Sequence, residues 1–282
     1  MLPDALFSLT ALLYVAATAS FARYLAAPAD GMDGAKVAEE GRRDVRLGTG
    51  LLAGAGVFHA AHILVFSLVL AVCPVEGIHF PLSVVAMLTV LFFVVLRGRF
   101  RIDAAGAVVA PFALSALLAS RFVGMNAAPS TQVRSALLPF HVAFNLFGIA
   151  LFSLACAAAG LYLVQERLLK RKQIFGLFKR LPPLDALDRA EHRFLLAGFP
   201  LLTLGILSGT AWAQKVEQGG LSDLLRAGFG WATWLTFAAV LLLRAAAGWR
   251  GRRAAWGTIA GFASSLVVLA IYLGRGGPGG HS

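Results

Sequence analysis

The sequence predicts an all-α fold: a polytopic integral membrane bundle of about eight transmembrane helices, with both termini outside. Three observations carry this. The 282 residues are 59% hydrophobic and only 14% charged, with a mean hydropathy of +0.77, whereas a soluble domain carries about 25% charged residues. Apolar runs of roughly 18 or more residues recur along the chain, each long enough to cross a ~30 Å hydrocarbon core. The runs are continuous rather than alternating, which excludes a membrane β-barrel. Finally, Lys and Arg gather in every second loop, as they do in chains that keep their basic loops in the cytoplasm.

Taken in order, the spans are 5–25, 48–73, 80–96, 104–122, 137–165, 193–214, 228–246 and 254–274. The first resembles a secretory signal through ATASFA, but only Asp4 and no basic residue precedes it, so it is read as an uncleaved helix. Basic residues follow the first, third, fifth and seventh spans. The exceptions, on the opposite side, are Arg121, Arg134, Lys215, Arg226 and Arg275. The stretch 26–47 is mixed in charge and reads as a short mobile connector, so residues 1–47 form one unit, a first helix with its cytoplasmic loop. In QERLLKRKQIFGLFKRLPPLDALDRAEHRF, the residues Leu168, Leu169, Ile174, Phe175, Leu177, Phe178 and Leu181 alternate with Lys and Arg. That pattern predicts a short helix lying on the inner membrane surface, ended by Pro182 and Pro183, which open the next helix.

The net charge of +11 and pI near 10.6 do not call for nucleic acid, because the excess sits in loops that face anionic lipid. Cys73 and Cys156 form no disulfide or zinc pattern and read as packing residues. No Ser-His-Asp set, phosphate loop or paired carboxylates appear, so the chain reads as no enzyme by itself.

Histidine is the one chemistry-bearing residue with a pattern. His59 and His62 are three apart and share a face of the second span. His59 lies roughly 17 Å into that span, near mid-membrane, with His62 nearer the outer side, and ionisable groups at such depth mark a site or a bonded neutral imidazole. His141 opens the fifth span and His281 follows the eighth, both on the outer side. Two imidazoles on one face are the axial ligands that a six-coordinate haem iron uses. His79 is also outer and His192 is on the cytoplasmic side, neither with a partner. Between the sixth and seventh spans lies GTAWAQKVEQGGLSDLLRAGFGWATW, with Trp212, Trp231 and Trp234.

Three stretches resemble the cytochrome c assembly membrane proteins, of the CcsA type and the shorter HemX-like branch. They are SALLPFHVAFNLFGIALFSLACAAAGLYLVQERLLKRK, RLPPLDALDRAEHRFLLAGFPLLTLGILSGTAWA and WLTFAAVLLLRAAAGWRGRRAAWGTIAGFASSLVVLAIYL. The resemblance covers roughly 50–282, so residues 48–282 read as a haem-handling membrane domain of this family. It implies a multi-pass protein of the bacterial inner (cytoplasmic) membrane that binds b-type haem non-covalently and presents it at the outer face in cytochrome c biogenesis. Apocytochrome c or other assembly subunits are the implied partners, and membrane lipid is the surrounding one. By position, His141 and His281 match the family's two outer histidines and the proposed iron ligands. His62, with His59 as the alternative, matches its buried histidine. In the tryptophan-rich WWD segment, Gly209, Trp212, Ala213, Thr233 and Trp234 match at the two ends. Its middle is degenerate, with Leu221, Asp223, Leu224 and Leu225 at the Trp-x-Trp-Asp-Pro positions, Phe229 at the last Trp, and Leu242 at the second buried histidine. Leucines lack the flat rings and N–H donors of indole, so the expectation is haem binding with a worn presenting platform. A HemX-like accessory role in haem biosynthesis, acting through the basic segment 166–193, and a haem or small-molecule transporter are the alternatives.

Overall fold

In lipid no water is available for exposed N–H and C=O groups, so a chain of apolar runs can satisfy its backbone only as helices. The computed structural model describes residues 2–26, 34–70, 80–122, 137–173, 176–213 and 221–274, and among these there is no strand. The helices are α1 (Leu2–Ala26), α2 (Gly34–Leu70), α3 (Pro81–Phe100), α4 (Gly106–Phe122), α5 (Leu137–Lys170), α6 (Leu177–Arg180), α7 (Leu184–Ala213), α8 (Leu221–Ala247) and α9 (Arg252–Gly274), with a 3₁₀ turn at Asp103–Ala105 before α4. All but α6 contain a stretch long and apolar enough to cross a membrane, eight in total. The protein is an all-α, multi-pass membrane protein.

Contacts between helix ends fix the up-and-down arrangement. Arg121 at the end of α4 pairs with Asp4 at the start of α1 (2.8 Å). Arg244 at the end of α8 pairs with Asp188 near the start of α7. Tyr24 at the end of α1 donates to the Arg180 carbonyl (2.8 Å). The bundle therefore has one end that gathers the basic turns, here the basic end, and an opposite end that holds the starts of α1, α3 and α5.

Burial ranks the helices. In α5 67% of the most apolar window is buried, against 17% in α8, which makes α5 the central pillar and α8 a peripheral helix. Phe152 of α5 packs on Phe237 of α8 with ring centroids 4.0 Å apart, and Phe194 of α7 on Phe100 of α3 at 5.0 Å. With lipid as apolar as leucine, such shape matching, rather than exclusion from water, holds helices together in the membrane. Arg97 and Asp103 pair across the tight α3–α4 turn, where Arg101 adopts φ 53° and the Ile102 N–H bonds back to the Arg97 carbonyl.

Three expectations need correction. The stretch read as a mobile connector is helical from Gly34 onward. Its Lys, Arg, Glu and Ala residues are good helix formers, and Asp44 is held by Ser20 (Oγ to its carbonyl, 2.9 Å) and Arg23 (3.5 Å). The expected surface helix across 168–181 is instead the end of α5 plus the four-residue α6; residues 174–175 lie outside the described residues. Leu181 is buried, so this segment is docked on the bundle rather than spread over lipid. Finally, α8 starts at Leu221 rather than near 228, so the chain from Leu221 to Trp234 is helical.

Candidate functional site

His141 stands in the second turn of α5 and faces α7, which runs antiparallel to it: Gly148 and Phe152 of α5 meet Leu202 and Gly198 of α7, while His141 meets Gly205 and Gly209. The small residues let the two backbones approach, the usual device of membrane helix pairs. At Gly209 the approach is closest, since a Cβ there would collide with the edge of the imidazole ring. The ring is oriented by its Nδ1, 2.7 Å from the Gly205 carbonyl oxygen. A carbonyl only accepts, so Nδ1 carries the proton and Nε2 the lone pair. The Asn145 amide nitrogen lies 3.3 Å from the same Nδ1. That nitrogen donates instead to the His141 carbonyl at 2.7 Å, so the shorter Gly205 bond sets the tautomer. Nε2 has no hydrogen-bond partner among the described residues. A histidine with its Nδ1–H on a backbone carbonyl and its Nε2 open is the arrangement that orients an imidazole toward a metal.

His62 repeats the arrangement. Its Nδ1 lies 3.1 Å from the Pro3 carbonyl, which again places the lone pair on Nε2. Its ring stacks on Phe66 (centroids 5.7 Å, 24°) and meets Phe7 edge-on at 5.6 Å. The Pro3 contact puts it at the end of the bundle that also holds His141. His59 differs: Nδ1 bonds the Tyr14 hydroxyl (2.9 Å) and Nε2 the Ser83 hydroxyl (2.6 Å), and the residue is fully buried. With both nitrogens engaged, His59 joins α1, α2 and α3.

The tryptophans are divided. Trp234 of α8 donates its indole N–H to Thr203 (3.0 Å) and packs on Phe199 (5.5 Å). Thr203 and Phe199 lie on a face of α7 roughly 110° around from the one His141 touches, at 100° per residue. Trp234 thus anchors α8 to α7, and Trp231 meets it edge-on at 5.9 Å while remaining 45% exposed. Trp212 is in the last turn of α7, with its side chain outside the described residues, as are His79 and His281 and the side chain of Asp223. Leu242, which the resemblance sets at the family's second buried histidine, is 67% exposed on α8.

The residues beside the His141 ring, Asn145 and Gly205, were not read as part of a site from sequence, and Gly209 was read only as one end of the tryptophan segment. The available signals were an Asn four residues after His141, hence on its face, and the small-xxx-small spacing of Gly205 and Gly209. Among the described residues, no three His, Cys, Asp or Glu groups converge to hold a bare metal ion. A porphyrin supplies four nitrogens of its own, so singly presented imidazoles such as His141 and His62 suit a haem iron.

Fold and site thus define a multi-pass helical membrane protein that presents oriented imidazoles at one end of its bundle. The chain belongs to the cytochrome c assembly protein family, whose model ("Cytochrome C assembly protein") matches residues 52–275. Its curated relatives include the cytochrome c biogenesis protein CcsA of Prochlorococcus marinus, 41% identical over 90 residues (32% of this chain and 28% of that one), and that of a Picosynechococcus strain, 41% identical over 100 residues (35% and 29%). That of Gloeothece citriformis is 40% identical over 106 residues (37% and 31%). The matches span about a third of the curated relatives' length. No solved structure matches the chain.

Proposed function

We propose that this protein binds haem non-covalently at the outer face of the bacterial inner membrane and takes part in cytochrome c biogenesis. The observation that carries the reading is the His141 ring, held by the Gly205 carbonyl and cleared by Gly209 so that Nε2 is open. Haem, when bound, supplies the iron and the porphyrin that become part of a cytochrome. The chain's own work is to orient an imidazole, exclude water with apolar helices, and hold the ring's surroundings fixed. His141 and His281 would hold the haem iron, and His62, at the same end of the bundle as His141, would be a further ligand. Trp212 and Trp231 are proposed contacts with the ring edge, and the worn Trp-x-Trp-Asp-Pro positions argue against delivery unaided. The proposal assigns no catalysis to the chain; apocytochrome c and further assembly subunits are its proposed partners.

The test is co-purification together with a reporter. The expected result is b-type haem on the purified chain and no maturation of a reporter cytochrome c when this chain is the only assembly factor present. A purified chain free of haem after expression with ample haem supply would sink the binding reading; maturation of the reporter by this chain alone would sink the claim that delivery is lost.

The accessory reading through the basic segment has less support, because Arg180 and Leu181 are engaged with the bundle. Orientation is tested separately. Reporter fusions after 125 and 220 are expected to read outside, and after 100, 175 and 250 inside, since basic loops stay in the cytoplasm. An inverted reading at 175, in the most basic loop, would break the proposed placement of His141 at the outer face.

A further inference from the structure

The basic end holds a second built feature, away from the histidines. The start of α7, the end of α8 and the turn into α9 enclose a cleft of about 510 Å³ whose lining includes Asp188, Arg189, His192, Arg244 and Arg250. Arg244 and Asp188 are its buried members, with side chains 7% and 11% exposed. One arm of its guanidinium reaches the Asp188 carboxylate and, at 3.2 Å, the Asp188 carbonyl. The other arm, Nη1, is buried without a hydrogen-bond partner, as is His192 Nδ1. Asp188 does not reach Nη1: one carboxylate oxygen meets the first arm, and the other takes the Gly251 N–H at 2.8 Å. Arg250 stands exposed at the rim and has no ion pair among the described residues. Among the described residues Arg189 pairs only with Asp185, and both side chains are mostly exposed (61% and 73%), so that pair holds it weakly.

Guanidinium groups only donate. A buried N–H left without an acceptor is costly, so the cleft suits a ligand that brings acceptors and negative charge. Three guanidinium groups outnumber the two carboxylates, Asp185 and Asp188, both of which are already engaged. Planar N–H forks match oxyanions in paired hydrogen bonds. Asp188 and Arg244 each lie within about two turns of their helix ends, and basic pockets between membrane helices are where lipid head groups bind.

We propose that this cleft is a binding site for a phosphate oxyanion, held by Arg244, Arg250 and Arg189. Two sources share that chemistry: the head group of an anionic phospholipid in the adjoining leaflet, and soluble phosphate. Arg244→Gln would leave Asp188 buried without its cation and endanger the fold, so the test uses the rim arginines. The full-length purified protein is titrated separately with phosphatidylglycerol, phosphatidylcholine and inorganic phosphate, and bound molecules are counted by native mass spectrometry. The expected result is binding of phosphatidylglycerol in preference to phosphatidylcholine. It is expected to weaken about fivefold in Arg250→Gln and again in Arg189→Gln, from about 1 kcal/mol per arginine, and to remain unchanged in Arg99→Gln at the end of α3. Inorganic phosphate binding with the same dependence on Arg250 and Arg189, without lipid preference, would support the site and assign it to the soluble source. Equal binding by wild type and both rim variants, for every probe, would overturn the proposal.

Discussion

Asp188→Ala is expected to destabilise the protein by about 3–5 kcal/mol, the usual cost of leaving one member of a buried ion pair without its partner. Arg244 is nearly fully buried and has no carboxylate other than Asp188 bonded to it among the described residues. The same carboxylate caps the Gly251 N–H, so its loss also frees the α8–α9 turn, where Gly251 has φ 64°. Unfolding of the purified protein by denaturing detergent, followed by tryptophan fluorescence, reads this out. A variant within about 0.5 kcal/mol of wild type, the range of ordinary surface substitutions, would show that the pair does not tie α7 to α8.

Gly209→Ala is expected to lower haem occupancy about tenfold or more, within the range seen when the groups that orient a metal ligand are disturbed. A Cβ at this position would lie 2.7 Å from His141 Nδ1, so the ring has to turn and its bond to Gly205 breaks. The packing cost, about 1–3 kcal/mol for an overfilled contact, leaves the fold intact. Haem content per folded protein, measured beside the unfolding curve, separates the two effects. Unchanged occupancy would mean that the orientation of His141 by α7 has no bearing on binding.

How much of this could be read from the residues follows the range of each interaction. Apolar runs are local, so the eight spans were legible, and Pro182–Pro183 correctly announced the start of α7 at Leu184. The helical start of α2 was missed because polar, charged residues hid it, although they are good helix formers and Asp44 is fixed by the end of α1. His141 was legible from its position, whereas its orientation was not, because Gly205 lies 64 residues further along the chain. His59 could not be told from His62 for the same reason: their difference lies in Tyr14 and Ser83, on other helices. The unequal roles of Trp231 and Trp234 likewise depend on Thr203, which no spacing rule connects to them.

The most direct measurement of the central claim is the absorption spectrum of the purified wild type beside His141→Ala, each with and without added imidazole. The account predicts a low-spin haem spectrum in the wild type. It also predicts loss of haem in His141→Ala, partial recovery when free imidazole fills the vacated ligand position, and no such change in His192→Ala, which sits at the other end of the bundle. A His141→Ala protein that keeps the wild-type haem content and spectrum would contradict it.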